Sequence, residues 1–96
     1  MHRILITGSQ REVLPKLRVL AQAEGREVLM AQDAASAMRL VQLLSLDVLV
    51  LSGGFGETTD RWLMVEALRQ NPDLKLLRRL GPIDEFAMEL TKALYV

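Results

Sequence analysis

The chain contains no cysteine and a single histidine, His2. The first absence excludes disulfides, thiolate nucleophiles and cysteine-based zinc sites. The second leaves neither a histidine metal triad nor a well-placed general base, and His2, next to Met1, is expected to be an exposed terminal residue. Aromatic residues are 4% of the 96, so a core has to be built from aliphatic side chains, chiefly leucine. Net charge is missing too, because twelve Lys and Arg balance twelve Asp and Glu. A protein dedicated to nucleic acid normally shows a basic excess, so no nucleic-acid partner is expected, and nothing electrostatic draws the chain to a membrane. No apolar run approaches the ~18 residues of a membrane span. The early run Ile4-Leu5-Ile6 stops at Thr7-Gly8-Ser9, short of a signal-peptide core of roughly 7–15 residues. The expectation is a cytoplasmic protein that is not an enzyme and carries no cofactor or metal.

What is present is an ordinary globular mixture, 50% hydrophobic and 25% charged, in a length that suits one domain, residues 1–96. Arg3-Ile4-Leu5-Ile6-Thr7 is a continuous apolar run of the kind found in a strand buried on both faces. Ser9-Gln10-Arg11-Glu12 then has the spacing of a capping box, in which hydroxyl and carboxylate satisfy each other's orphan amides. Val13, Leu14, Leu17, Leu20 and Ala21 follow at helical spacing and Gly25 closes the helix. Pro15 would lie inside the second turn if Ser9 were the cap, so a later start, with Pro15 in the first turn, is the alternative.

Glu27-Val28-Leu29-Met30-Ala31 reads as a second strand. Asp33 caps a second helix with Ala34, Ala37, Met38, Val41 and Leu44 on one side. Asp47-Val48-Leu49-Val50-Leu51 is the clearest strand, bounded by Ser52-Gly53-Gly54. The loop through Thr59 leads to a third helix capped by Thr59 or Asp60, with Leu63, Met64, Ala67 and Leu68 inward and Asn71-Pro72 at its end. Leu74-Lys75-Leu76-Leu77 reads as a fourth strand. Gly81-Pro82 starts a last helix with Ile83, Phe86, Leu90 and Leu94 near one face and Ala87 and Ala93 beside them. Met30, Met38, Met64 and Met88 are expected to fill core space. Strand and helix alternate throughout, which points to an α/β fold on a parallel sheet.

Three stretches carry a resemblance to a known family. Arg3–Thr7, Glu27–Ala37 and Asp47–Leu51 resemble the first strand, the second strand with the start of its helix, and the third strand of response-regulator receiver domains. Pro82-Ile83-Asp84-Glu85-Phe86 resembles the family's lead into its last helix. The resemblance implies a flavodoxin-like three-layer sandwich with a parallel sheet of about four strands, one strand–helix unit short, because only one strand fits between Asn71-Pro72 and Gly81-Pro82.

The family's phosphotransfer uses an acidic pair after the first strand to hold Mg²⁺, an acceptor Asp after the third, a hydroxyl after the fourth and a Lys after the fifth. A hard divalent cation wants oxygen ligands, and the acceptor must be a nucleophilic carboxylate. In this sequence those positions fall on Gly8 and Ser9, on Ser52, on Arg78 or Arg79, and on Gly81. Ser52 is therefore a degenerate acceptor position, a neutral hydroxyl with no visible base.

The implied function is a non-catalytic pseudo-receiver that acts by binding protein, independently of phosphorylation. Loss of a strand–helix unit would leave the fourth strand as a sheet edge, which invites another chain. A homodimer through that edge, or through the last helix, is the corresponding expectation. Phe55, Trp62, Leu74, Leu76 and Arg78 are the candidate interface residues; packing of Trp62 beneath the glycine-rich loop is the competing reading. Arg61 with Arg78-Arg79 is either a basic spot for phosphate or carboxylate, or a set of solvated charges. The alternative function is a small nucleotide- or anion-binding domain using the turns at Gly8, Ser9, Ser52, Gly53 and Gly54. Neither a dinucleotide nor a P-loop glycine motif accompanies those turns, which serve equally as plain turn geometry.

Overall fold

A computed structural model describes residues 1–78 and 83–95. The strands are β1 (His2–Thr7), β2 (Arg26–Ala31), β3 (Val48–Leu51) and β4 (Lys75–Arg78). The helices are α1 (Leu14–Ala21), α2 (Ala34–Leu43), α3 (Glu57–Gln70) and α4 (Phe86–Tyr95), the last preceded by a short 3₁₀ turn over Ile83–Glu85. The strands form one parallel sheet in the order β2-β1-β3-β4. Among the described residues no fifth strand separates β4 from α4, and β4 is a sheet edge, as the sequence implies.

Side chains alternate across the strands, and that alternation sorts the core into two layers. Leu5, Leu49, Leu51 and Ala31 point to the side where α2 and α3 supply Ala37, Val41, Leu63 and Ala67. Ile4, Ile6, Val48 and Val50 point to the other, where α1 and α4 supply Leu14, Leu17, Ala21, Phe86 and Leu90. A central strand buried on both faces must be apolar throughout, which is why β1 and β3 were so readable.

Helix boundaries follow local chemistry. Asp33 caps α2, its carboxylate accepting from the Ser36 amide at 2.7 Å. The capping box at Ser9 does not form: α1 starts at Leu14 with Pro15 in its first turn. There the missing N–H of proline has no partner to lose, so the later start prevails. The α1 helix also ends at Ala21, before Gly25; Gly25, at φ 81°, instead turns the chain into β2. Arg26 reaches back so that its guanidinium donates to the Ala21 carbonyl at 3.0 Å, meeting an orphan acceptor of α1.

Neither Thr59 nor Asp60 caps α3. The helix begins earlier, after Gly56, whose φ of 89° lets the chain turn without a side-chain cap. Glu57 and Asp60 then place negative charge in the first turn, where the helix dipole favours it. The fourth strand is shifted one residue from its expected span, and Leu74 belongs to the buried core before it. Ala34, Leu20 and Met88 are exposed where burial was expected. His2 is half-buried, pairs with Arg26 in the sheet and meets the Tyr95 ring edge-on at 5.7 Å.

Candidate functional site

In a sheet of this order, the direction in which strands are added reverses between β1 and β3. The crevice beyond their carboxyl ends is where such folds bind ligands. Gly8, Ser9, Ser52, Gly53 and Gly54 meet there as the sequence suggested, but they meet each other. The Ser52 hydroxyl donates to the Thr7 carbonyl at 2.6 Å, and the Ser52 amide donates to the same oxygen at 2.9 Å. The Thr7 hydroxyl in turn donates to the Val50 carbonyl at 3.0 Å. The Gly8 amide donates to Ala31 and the Ser9 amide to Gly53. Three of the five amides an anion would need are thus already directed at carbonyl oxygens.

Space is closed as well as polarity. A Cβ on Gly8 would run into the Ser52 hydroxyl and lie 3.1 Å from the Gly53 carbonyl. Gly54, at φ 100°, brings the loop so close to Ser9 that a Cβ there would lie 2.8 Å from the Ser9 Cβ.

The receiver fold implies a Mg²⁺ ion at this place, and these residues do not fit one. A hard dication needs several oxygen donors, carboxylates foremost. Here the side chains are the neutral hydroxyls of Thr7, Ser9 and Ser52, two of them held to main-chain carbonyls, and the cradle an acidic side chain would fill is occupied by Ser52. Among the described residues no three His, Cys, Asp or Glu side chains gather as a metal-binding group. Arg79 and Gly81, two of the positions the resemblance singles out, lie outside the described residues.

The remaining candidates scatter. Arg78 is exposed at the end of β4, where its charge offsets part of the burial that raises the Asp60 carboxyl above its usual range. Burial is the larger cause and the raised pKa persists. Phe55, half-buried, packs against the α2–α3 core, and Leu74 is inside it, so neither is displayed as an interface residue. Leu76 is 37% exposed and Trp62 64% exposed. Trp62 therefore does not pack beneath the loop. With Arg61, Val65 and Glu66 of α3 and Met38 and Gln42 of α2 it lines a groove of about 560 Å³. Sequence reasoning found Trp62 but not the groove, because the pairing of α2 with α3 is a tertiary fact.

At the opposite, amino end of the sheet a smaller hollow of about 280 Å³ is lined by Met1, Arg3, Glu27, Ser45 and Asp47. There Asp47 accepts from the Arg3 amide at 2.7 Å, and Arg3 and Glu27 approach to 3.4 Å. Asn71, which no motif singled out, donates from its side chain to the Leu46 carbonyl at 2.7 Å, holding the lead into β4 against that into β3.

The fold this geometry builds is that of response-regulator receiver domains. The receiver domain of the hybrid histidine kinase CckA superposes with a TM-score of 0.73 at 20% identity, covering 96% of this chain and 98% of that one. A response regulator receiver domain protein from Clostridium thermocellum superposes at 0.71 and 15% identity, covering 97% and 94%. The signal receiver domain of an HD domain-containing protein from Pseudomonas fluorescens Pf-5 gives 0.64 and 18%, covering 97% and 94%. Neither a protein-family profile nor a curated protein sequence matches the chain. No helix among the described residues is long and apolar enough to cross a membrane.

Proposed function

We propose that this chain is a receiver-like signalling module of the cytoplasm that works by protein contact and self-association, without a phosphorylation switch and without catalysis. The observation that carries the reading is the closed carboxyl end of β1 and β3. Ser52 stands where an acceptor carboxylate would, and its hydroxyl is committed to Thr7. A hydroxyl becomes a nucleophile only beside a base, and residues 7–9 and 52–54 supply none. What such a module retains is a rigid scaffold with exposed contact area.

Incubation with acetyl phosphate and Mg²⁺ tests this directly. The intact mass is expected to stay unchanged; a phosphorylated product at Ser52 would overturn the reading. The same protein, melted with inorganic phosphate and with nucleotides, separates it from anion binding. A ligand of the native state raises the melting temperature by mass action, and no rise is expected.

A further inference from the structure

We infer that the groove between α2 and α3 is a two-fold interface with a second copy of this chain. The inference rests on the self-association proposed above and assigns it a surface. Along the outer side of α3 the residues run Arg61, Trp62, Val65, Glu66, with Trp62 and Val65 exposed at 64% and 48%. This order is self-complementary. A two-fold axis running along α3 sets the helix parallel to its copy; Arg61 and Glu66, five residues apart and so on opposite flanks of the Trp62–Val65 seam, then face Glu66 and Arg61 of the copy. Symmetry repeats each contact, so both charges on each helix are matched at once.

The groove supplies room for the indole of the copy, and Met38 on its wall offers a polarizable thioether to an aromatic ring. Glu66 already meets Arg69 at 3.0 Å on the rim. The Arg69 side of that pair is solvent-exposed, which weakens it, and a carboxylate has lone pairs for a second cation. The zero net charge puts no general repulsion between copies.

The edge strand has the opposite character. Antiparallel two-fold pairing of β4 would set Lys75 against Arg78 of the copy, and like charges directly opposite across strands are destabilising. Basic side chains on an exposed edge are a common way for sheets to discourage further pairing.

Sedimentation of the full chain over a concentration series reads the outcome. The wild type is expected to form a dimer, and Trp62→Ala to weaken it by about tenfold or more, as central aromatic anchors do. Arg61→Glu and Glu66→Arg are each expected to weaken it, and the double variant to regain most of the affinity, because the swap restores opposite charges at both contacts. Circular dichroism and melting check that each variant is folded; these side chains are on the surface. Single charge variants without effect, or a double variant that fails to recover, would overturn the inference. A dimer indifferent to them but lost in Leu76→Lys would place the interface at the β4 edge and leave self-association standing. A wild type that stays monomeric to submillimolar concentration would remove both, and leave the absence of phosphotransfer untouched.

Discussion

At the carboxyl end of the sheet, residues 7–9 and 52–54 carry no charge and two buried hydroxyls, Thr7 and Ser52, are tied to main-chain carbonyls. At the amino end, the same strands and their neighbour bring together Arg3, Glu27 and Asp47, all half-buried. The difference shows that the two ends of one sheet satisfy their polar groups in different ways. Buried charges are costly unless paired or bound to metal, and at the carboxyl end the space is filled by Ser52 and by the close approach of Gly54 to Ser9. The amino end keeps its charges because water still reaches them.

The sharpest way to break this contrast is to return an acid to the carboxyl end. Gly8→Asp must displace Ser52 and bury a carboxylate, so a destabilisation of about 3 kcal/mol or more is expected in urea unfolding. A loss below about 1 kcal/mol would show that the crevice is roomier than the Ser52 and Gly53 contacts make it. Next in size is Asp47→Ala, which removes the acceptor of the Arg3 amide at the amino end. About 1–2 kcal/mol is expected, since a hydrogen bond to a charged group is lost and a half-buried N–H is stranded.

Ser52→Ala should cost only about 1 kcal/mol, because the Thr7 carbonyl keeps the Ser52 amide as a donor. Glu27→Gln should cost less than about 0.5 kcal/mol, the usual range for a solvent-reached ion pair. The smallest effect is a matter of pH. The Ser36 amide and hydroxyl hold the Asp33 carboxyl below its usual range. A lowered folded-state pKa adds stability above the ordinary aspartate range, and that stability is lost as pH falls through the lowered value. Asp33→Asn should therefore flatten this part of the acid limb of a stability–pH curve, whereas wild type and variant losing stability in parallel would count against it.

Much of this was written in local pattern. The apolar runs of β1 and β3, the Asp33 cap and the alternation of strand and helix were all legible, because each depends on neighbours in the chain. The misplaced boundaries have a common cause. At Ser9 a capping motif competed with a proline, and the proline prevailed by geometry. At Gly56 a backbone turn replaced the side-chain cap expected from Thr59 or Asp60. That Gly8, Ser9, Ser52, Gly53 and Gly54 lie at neighbouring strand ends was legible from the strand pattern alone. Their mutual closure was not, since the bond from Ser52 to Thr7 joins residues 45 apart.

The order of residues alone determined that residues 7–9 and 52–54 carry no carboxylate, that the sheet would be parallel and that its fourth strand would end it. These are matters of which side chain stands at which position along a strand. Only the folded chain decided that the turns at Gly8 and Ser52 close on each other, that Phe55 packs inward while Trp62 faces out, and that α2 and α3 make a groove. Each of those depends on how close separate elements approach, and distance between elements is fixed by packing of the whole core.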